Sequence, residues 1–352
     1  VGSSGDGLDL LVAAPSSRPP VVSASRYAPP WFLRNAHAQT IWGKFVRPDA
    51  PLPPMVRERW ETPDGDHVTL VRVRPDEPRA PRLLLLHGLE GTERSHYVEA
   101  LFRAAWRRGW GADLLLFRGC DGALNARPRF YHSGETGDVA HVAARLAARH
   151  PDAPLLACGV SLGGNVLVKW LGEGARPVPA ALRAAVAVSV PYDLSRGCRH
   201  IARGFSRVYE TTFLRTLRAK ALAKRERFPD HFAPAARIAA IRTLWEFDDV
   251  VTAPLHGFDG AEDYYARSSG KRFVAGIRVP ALDEVRDAAA ATPNLSLQFE
   301  PHGGHVGFVT GPAPWRTDSY LAERVPAFLA AHLDADAQGA ARDVLAREAR
   351  AA

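Results

Sequence analysis

At 352 residues, with 46% hydrophobic and 24% charged side chains, the chain has room for one large α/β core with insertions and the composition of a globular protein. Its formal charge of +7 is spread along the sequence with no basic face or helix-turn-helix context, which argues against a nucleic-acid partner. No apolar run approaches the roughly 20 residues that span a bilayer, and three cysteines, Cys120, Cys158 and Cys198, lack metal-type spacing, which argues against a disulfide framework or zinc site and for a reducing, cytoplasmic compartment.

Residues 1–20 are rich in Gly, Ser and Pro and are expected to form a flexible extension. From Trp60 to Arg74, the turn residues Pro63-Asp64-Gly65-Asp66 separate two alternating segments, the pattern of an antiparallel hairpin. Short apolar runs then follow at Arg82–Leu86, Gly111–Phe117, Leu155–Gly159, Ala184–Val190, Arg278–Leu282 and Leu295–Glu300, most of them separated by helical stretches. Such alternation predicts a mostly parallel central sheet flanked by helices. One α/β domain is expected over 21–334, with a helical cap inserted at about 195–270 and a helical tail over 335–352. Within the cap, Phe205, Tyr209, Phe213, Leu214 and Leu217 recur at helical spacing among arginines and lysines. That amphipathic stretch reads either as a helix packed on the domain or as a contact for a peripheral membrane surface or an acyl chain.

Gly159-Val160-Ser161-Leu162-Gly163 follows an apolar run and precedes the amphipathic stretch Asn165–Leu171, so strand, tight turn and helix stand in order. A serine raised on such a turn is exposed for nucleophilic attack, and the small flanking residues let the backbone bend sharply against the sheet. Leu83-Leu84-Leu85-Leu86 runs into His87-Gly88-Leu89, a second loop able to offer a backbone donor. The amides of Leu89 and Leu162 are the expected oxyanion donors, and His87 is expected to brace its loop. The general base should follow the last strand, where Pro301-His302-Gly303-Gly304-His305 places His305 on a glycine-rich loop. His302 is read as structural, because two histidines three apart with no nearby cysteine make a poor zinc site.

The acid that should orient His305 is less clearly marked. Asp283 stands at the end of the Arg278–Leu282 run and is the first choice, although it is equally suited to capping a helix through Ala291. Asp193 after Val190-Pro191-Tyr192 could reach from one strand away or initiate a turn, and Asp248 and Asp249 in the cap rank third.

Together with Leu33-Arg34-Asn35-Ala36-His37-Ala38-Gln39-Thr40, Phe117-Arg118-Gly119-Cys120, Tyr131-His132-Ser133-Gly134-Glu135, Thr252–Phe258 and Asp263-Tyr264-Tyr265, these motifs resemble the YheT-like branch of the α/β-hydrolases. That branch includes acylglycerol lipases, phospholipases and carboxylesterases, and the resemblance covers Pro29 to about Phe328. It implies an α/β-hydrolase fold, Ser161 as nucleophile, His305 as base, and hydrolysis of small-molecule or lipid esters without a cofactor. One departure stands out: the family's Asp-containing loop after the strand matching Val279–Leu282 is missing here. Asp283 or Asp193 would then have to serve, or the fold would act as a weakly catalytic lipid- or partner-binding protein. A thioesterase or acyltransferase would use the same constellation.

Overall fold

The structure, a computed structural model, describes residues 7–13, 27–46, 50–274, 295–300 and 302–333. Among the described residues ten strands run in chain order as β1 (Gly7–Ala13), β2 (Val56–Glu61), β3 (His67–Val73), β4 (Arg82–Leu86), β5 (Gly111–Leu116), β6 (Leu155–Val160), β7 (Leu182–Val188), β8 (Leu295–Glu300), β9 (Val309–Ala313) and β10 (Arg316–Ser319). The first eight form one sheet in the order β2-β3-β5-β4-β6-β7-β1-β8, and β9 pairs with β10. Pairing is parallel from β5 through β4 and β6 to β7. Only β3 and β1 run against the rest.

The four central leucines show how the sequence drives this layering. Period-two alternation sends Leu83 and Leu85 to one face, Leu84 and Leu86 to the other, and all four are buried. On the first face they meet Val98, Leu101 and Phe102 of the helix His96–Arg107 and Val325, Phe328 and Leu329 of a helix over 320–333. On the second they meet Val139, Val142 and Leu146 of the helix Gly137–Arg149 and Val166, Leu167 and Trp170 of the helix Leu162–Gly172. A buried carboxylate fixes one end of the sheet: Asp113 accepts from Arg72 Nε at 2.6 Å and Arg82 Nε at 2.8 Å, joining β3, β5 and β4.

Two expectations need correction. Gly7–Ala13 is not part of a flexible extension but a strand lying antiparallel between β7 and β8. Its mostly apolar sequence finds hydrogen-bond partners on two otherwise open edges, which its Gly-, Ser- and Pro-rich flanks conceal. The described part of the insertion after β7 is helical, but the buried face of its long helix Arg207–Arg227 comprises Glu210, Leu214, Leu217, Ala221 and Lys224. Phe205 lies before that helix, on a short 3-10 turn, and is exposed. Charged residues take core positions because each finds a partner: Glu210 accepts from the Leu244 amide at 2.9 Å, and Lys224 Nζ donates to the carbonyls of Arg127 and Arg129. The run Arg278–Leu282, the helix through Ala291 and the tail over 335–352 lie outside the described residues.

Candidate active site

β4 is flanked by β5 on one side and β6 on the other, so its chain neighbours leave in opposite directions and open a crevice beyond the strand ends. Ser161 follows β6 directly. Its φ of 54° and ψ of −118° are strained for a side-chain-bearing residue, of the kind that costs about 1–3 kcal/mol and persists only where the surroundings enforce it. The surroundings are backbone: a Cβ on Gly159 would lie 2.4 Å from the Gly163 carbonyl oxygen, and one on Gly163 would lie 2.5 Å from that of Leu86. Only glycine allows the turn to close this tightly. Leu162 opens the following helix, where its N–H has no intrahelical acceptor.

Ser161 Oγ lies 2.8 Å from His305 Nε2, so the two residues singled out from sequence meet in space. His305 keeps an exposed surface while many protein atoms crowd its ring. Loss of water there, followed by the nearby His200, holds its pKa below the usual 6.5, which leaves the ring neutral and able to accept a proton at pH 7. Its loop is held by the helix Ala36–Phe45. The His305 amide donates to Thr40 Oγ1 at 3.1 Å, the Val309 amide donates to Gln39 Oε1 at 2.8 Å, and Asn35 caps the helix through the amides of His37 and Ala38. A Cβ on Gly304 would sit 2.3 Å from Thr40 Oγ1, so this approach too depends on glycine.

The loop after β4 completes the floor. His87 is fully buried, with Nδ1 2.7 Å from the Gly88 carbonyl and Nε2 accepting from the Phe117 amide at 3.1 Å. Burial pushes its pKa down to about 4, so it is a neutral brace. Gly88 donates its amide to Tyr97 Oη at 2.9 Å, and a Cβ at Gly88 would lie 3.2 Å from Ser161 Cβ, which brings Leu89 beside the serine. Among the described residues the Leu89 amide has no hydrogen-bond partner.

No carboxylate among the described residues contacts His305. Asp193 instead caps the helix Leu194–Ile201 through the Arg196 amide and pairs with Lys271. Asp248 accepts from Thr252 Oγ1 at 2.7 Å and Tyr265 Oη at 2.8 Å, and Asp249 accepts from the Ala261 amide at 3.1 Å. Asp283 lies outside the described residues. His302 is exposed, and no cluster of three His, Cys, Asp or Glu suited to a metal occurs among the described residues.

Several positioning residues escaped the sequence reading. Asn165, one turn after Ser161, donates to the carbonyls of Ser133 and Ser268 at 2.8 Å each and accepts from the Gly270 amide at 2.7 Å, tying the nucleophile's helix to the insertion. Gln39, Thr40, Tyr97 and Tyr131 likewise act through their polar ends. For all but Tyr97 the signal was membership in short motifs from which no role for these side chains was derived; Tyr97 carried none.

No family model matches the chain. It is 36% identical over 332 residues to "Putative esterase YheT" of Escherichia coli strain K12, covering 89% of this chain and 95% of that protein. It is 26% identical over 312 residues to "Phospholipase ABHD3" of Mus musculus, covering 83% and 75%. Among solved structures, an esterase of Pyrococcus furiosus shares 18% identity over 46% of this chain and 60% of that one, with a TM-score of 0.36.

Proposed function

Because this chain belongs to the YheT-like family of α/β-hydrolases, we propose that it is a serine hydrolase cleaving carboxylic esters through an acyl-enzyme. Ester hydrolysis is the chemistry its esterase- and lipase-named relatives support. The observation that carries the mechanism is the 2.8 Å contact between Ser161 Oγ and His305 Nε2 on a strained elbow. In the proposed cycle His305 takes the hydroxyl proton as Ser161 attacks the ester carbonyl, and the amides of Leu89 and Leu162 hold the oxyanion. His305 then returns the proton to the leaving alkoxide, and water repeats the sequence in reverse to free the acid. Asp283 remains the first choice for the orienting acid. The substrate is a small-molecule or lipid ester, and no step calls on a cofactor.

No helix among the described residues is long and apolar enough to cross a membrane; a cytoplasmic site of action is proposed because three cysteines without disulfide-framework or metal spacing suit a reducing compartment. The test is hydrolysis of p-nitrophenyl esters from acetate to palmitate, with fluorophosphonate labelling of wild type and Ser161→Ala. Labelling and turnover that vanish in Ser161→Ala support the reading. Turnover that survives in Ser161→Ala, or its absence in wild type on every ester, overturns it.

A further inference from the structure

The Gly91 amide donates to the Gly88 carbonyl at 3.0 Å, so residues 88–91 form a tight turn with Leu89 and Glu90 at its centre. Glu90 has a φ of 55°. A turn with that conformation at its third residue normally carries glycine or asparagine there, and a glutamate meets a steric penalty of about 1–2 kcal/mol. An ordinary type I turn would suit Leu-Glu better. It would also rotate the Leu89–Glu90 peptide, turning the Glu90 amide away from Tyr131 Oη and disturbing the backbone next to the Leu89 amide.

What holds the unfavourable form is a closed set of contacts. The Glu90 amide donates to Tyr131 Oη at 2.8 Å, and the same hydroxyl donates back to Glu90 Oε1 at 2.9 Å. Tyr131 is itself fixed, stacked on Phe117 with ring centroids 5.4 Å apart. The third contact comes from a different layer: Lys220 Nζ, on the helix Arg207–Arg227, donates to Glu90 Oε1 at 2.8 Å. The Glu90 side chain is only 9% exposed and that of Lys220 25%, so the pair is largely withdrawn from water and better defined than a surface ion pair. Leu89 packs against the apolar clusters of both the sheet and the inserted helices, which places the turn at their junction.

We infer that Lys220 is a positioning residue that locks the Gly88–Gly91 turn through Glu90, so that the Leu89 amide is correctly presented only when the helix Arg207–Arg227 is seated on the sheet. Substrate entry that lifts this helix would then dismantle one oxyanion donor, and its return would rebuild it, coupling closure of the insertion to catalytic competence. The inference rests on the serine-hydrolase reading for its catalytic meaning. Its structural half, a turn held by Lys220, does not.

The experiment compares wild type, Lys220→Met and Lys220→Arg, the first keeping the stem and helix propensity and the second restoring the charge. Three readouts are taken: steady-state kinetics on one p-nitrophenyl ester, inhibition by a boronic acid that forms a tetrahedral adduct on serine, and hydrogen exchange of the Leu89 and Glu90 amides. We expect Lys220→Met to lose on the order of 10- to 100-fold in kcat, below the 10²–10³ of outright donor removal. KM should stay within about twofold, boronate affinity should fall in parallel with kcat, exchange at 89–90 should accelerate, and Lys220→Arg should recover most of each. Unchanged exchange at 89–90 in Lys220→Met would overturn the inference outright. A change in KM or thermal stability alone, with kcat and boronate affinity intact, would also overturn it, leaving Lys220 as an anchor of the helix. If wild type shows no Ser161-dependent turnover while exchange at 89–90 still accelerates, the hydrolase reading fails and the catalytic half of the inference with it, and the lock on the turn stands.

Discussion

Ser161 Oγ and His305 Nε2 are 2.8 Å apart although 144 positions separate them in the chain. Two independent loops, one closing β6 and one following β8, are each bent by glycines whose Cβ positions neighbouring atoms already fill. The contact is therefore enforced from both sides. Ser161→Ala and His305→Ala should each lower kcat by about 10⁴-fold or more while leaving thermal stability nearly unchanged. Steady-state kinetics with a melting curve for each variant checks this, and a variant retaining a tenth of wild-type turnover would contradict it.

The pH profile follows from His305. Crowding and His200 hold its pKa below 6.5. As a base it must be neutral, so kcat/KM should rise with pH through an apparent pKa below 6.5 and stay level from pH 7 to 8. An ionised carboxylate against the far ring nitrogen would raise that pKa, because it stabilises the imidazolium. A measured limb above 7 would contradict the expectation and mean that the orienting acid proposed for His305 outweighs the loss of water around its ring.

The aspartates can be separated by what their replacement costs. Asp193 caps a helix and pairs with Lys271. Asp193→Asn should therefore cost stability, about 1 kcal/mol or less since asparagine also caps, with kcat unchanged. Asp283→Asn should instead lower kcat by as much as about 10⁴-fold with little change in stability, if it orients His305. Kinetics and urea unfolding of both variants decide which carboxylate acts on the histidine.

The legible parts of this site were those written in local covalent constraint. A serine between glycines after an apolar run, and a histidine among glycines after the last strand of the main sheet, each announce a turn that only those residues can make. The sheet was legible because burial on both faces leaves near-continuous apolar runs, as in Arg82–Leu86, which matches β4 end for end, and the alternating Leu295–Glu300 matches β8. The face of the Arg207–Arg227 helix was misread because apolar periodicity cannot anticipate that Glu210 and Lys224 find buried partners. β1 was missed because its place depends on two edges from distant parts of the chain. Asn165 and Gln39 went unassigned for a related reason, since a side-chain amide declares its role only once its partners are assembled.

Acid should unfold the protein earlier than its carboxylates alone would require. Burial lowers the pKa of His87 to about 4 and, with help from Arg129 and Lys169, that of His132 to about 3. Both lie below the 6.5 of an unfolded histidine, so the unfolded chain binds protons first as pH falls. Their contribution is complete above about pH 6.5 and is lost progressively down to pH 4 and below. For His87 alone the drop from 6.5 to about 4 corresponds to about 3 kcal/mol at 1.36 kcal/mol per unit. Urea midpoints should be level from pH 8 to 7 and decline steadily from 6.5 to 4, and a flat profile down to pH 5 would refute the assignment.

The motif Phe117-Arg118-Gly119-Cys120 can be tested as a structural staple. Arg118, almost fully buried, forks onto Asp138 of the helix Gly137–Arg149 at 2.6 and 2.7 Å. Its other arm reaches Asp64 at 2.7 Å and Asp66 at 3.2 Å in the turn between β2 and β3. One guanidinium thus joins the end of β5, a helix and a hairpin turn. Removing a single partner strands a desolvated charge, which costs about 3–5 kcal/mol in comparable buried pairs. Arg118→Met should cost that much, and Arg118→Lys most of it, because an ammonium cannot serve two carboxylates in a planar fork. Asp138→Asn should cost less, since Asp64 and Asp66 still neutralise the arginine. For each variant kcat per folded molecule should remain within about twofold of wild type. A loss of kcat in protein shown to be folded would mean that the staple also sets the geometry around Ser161.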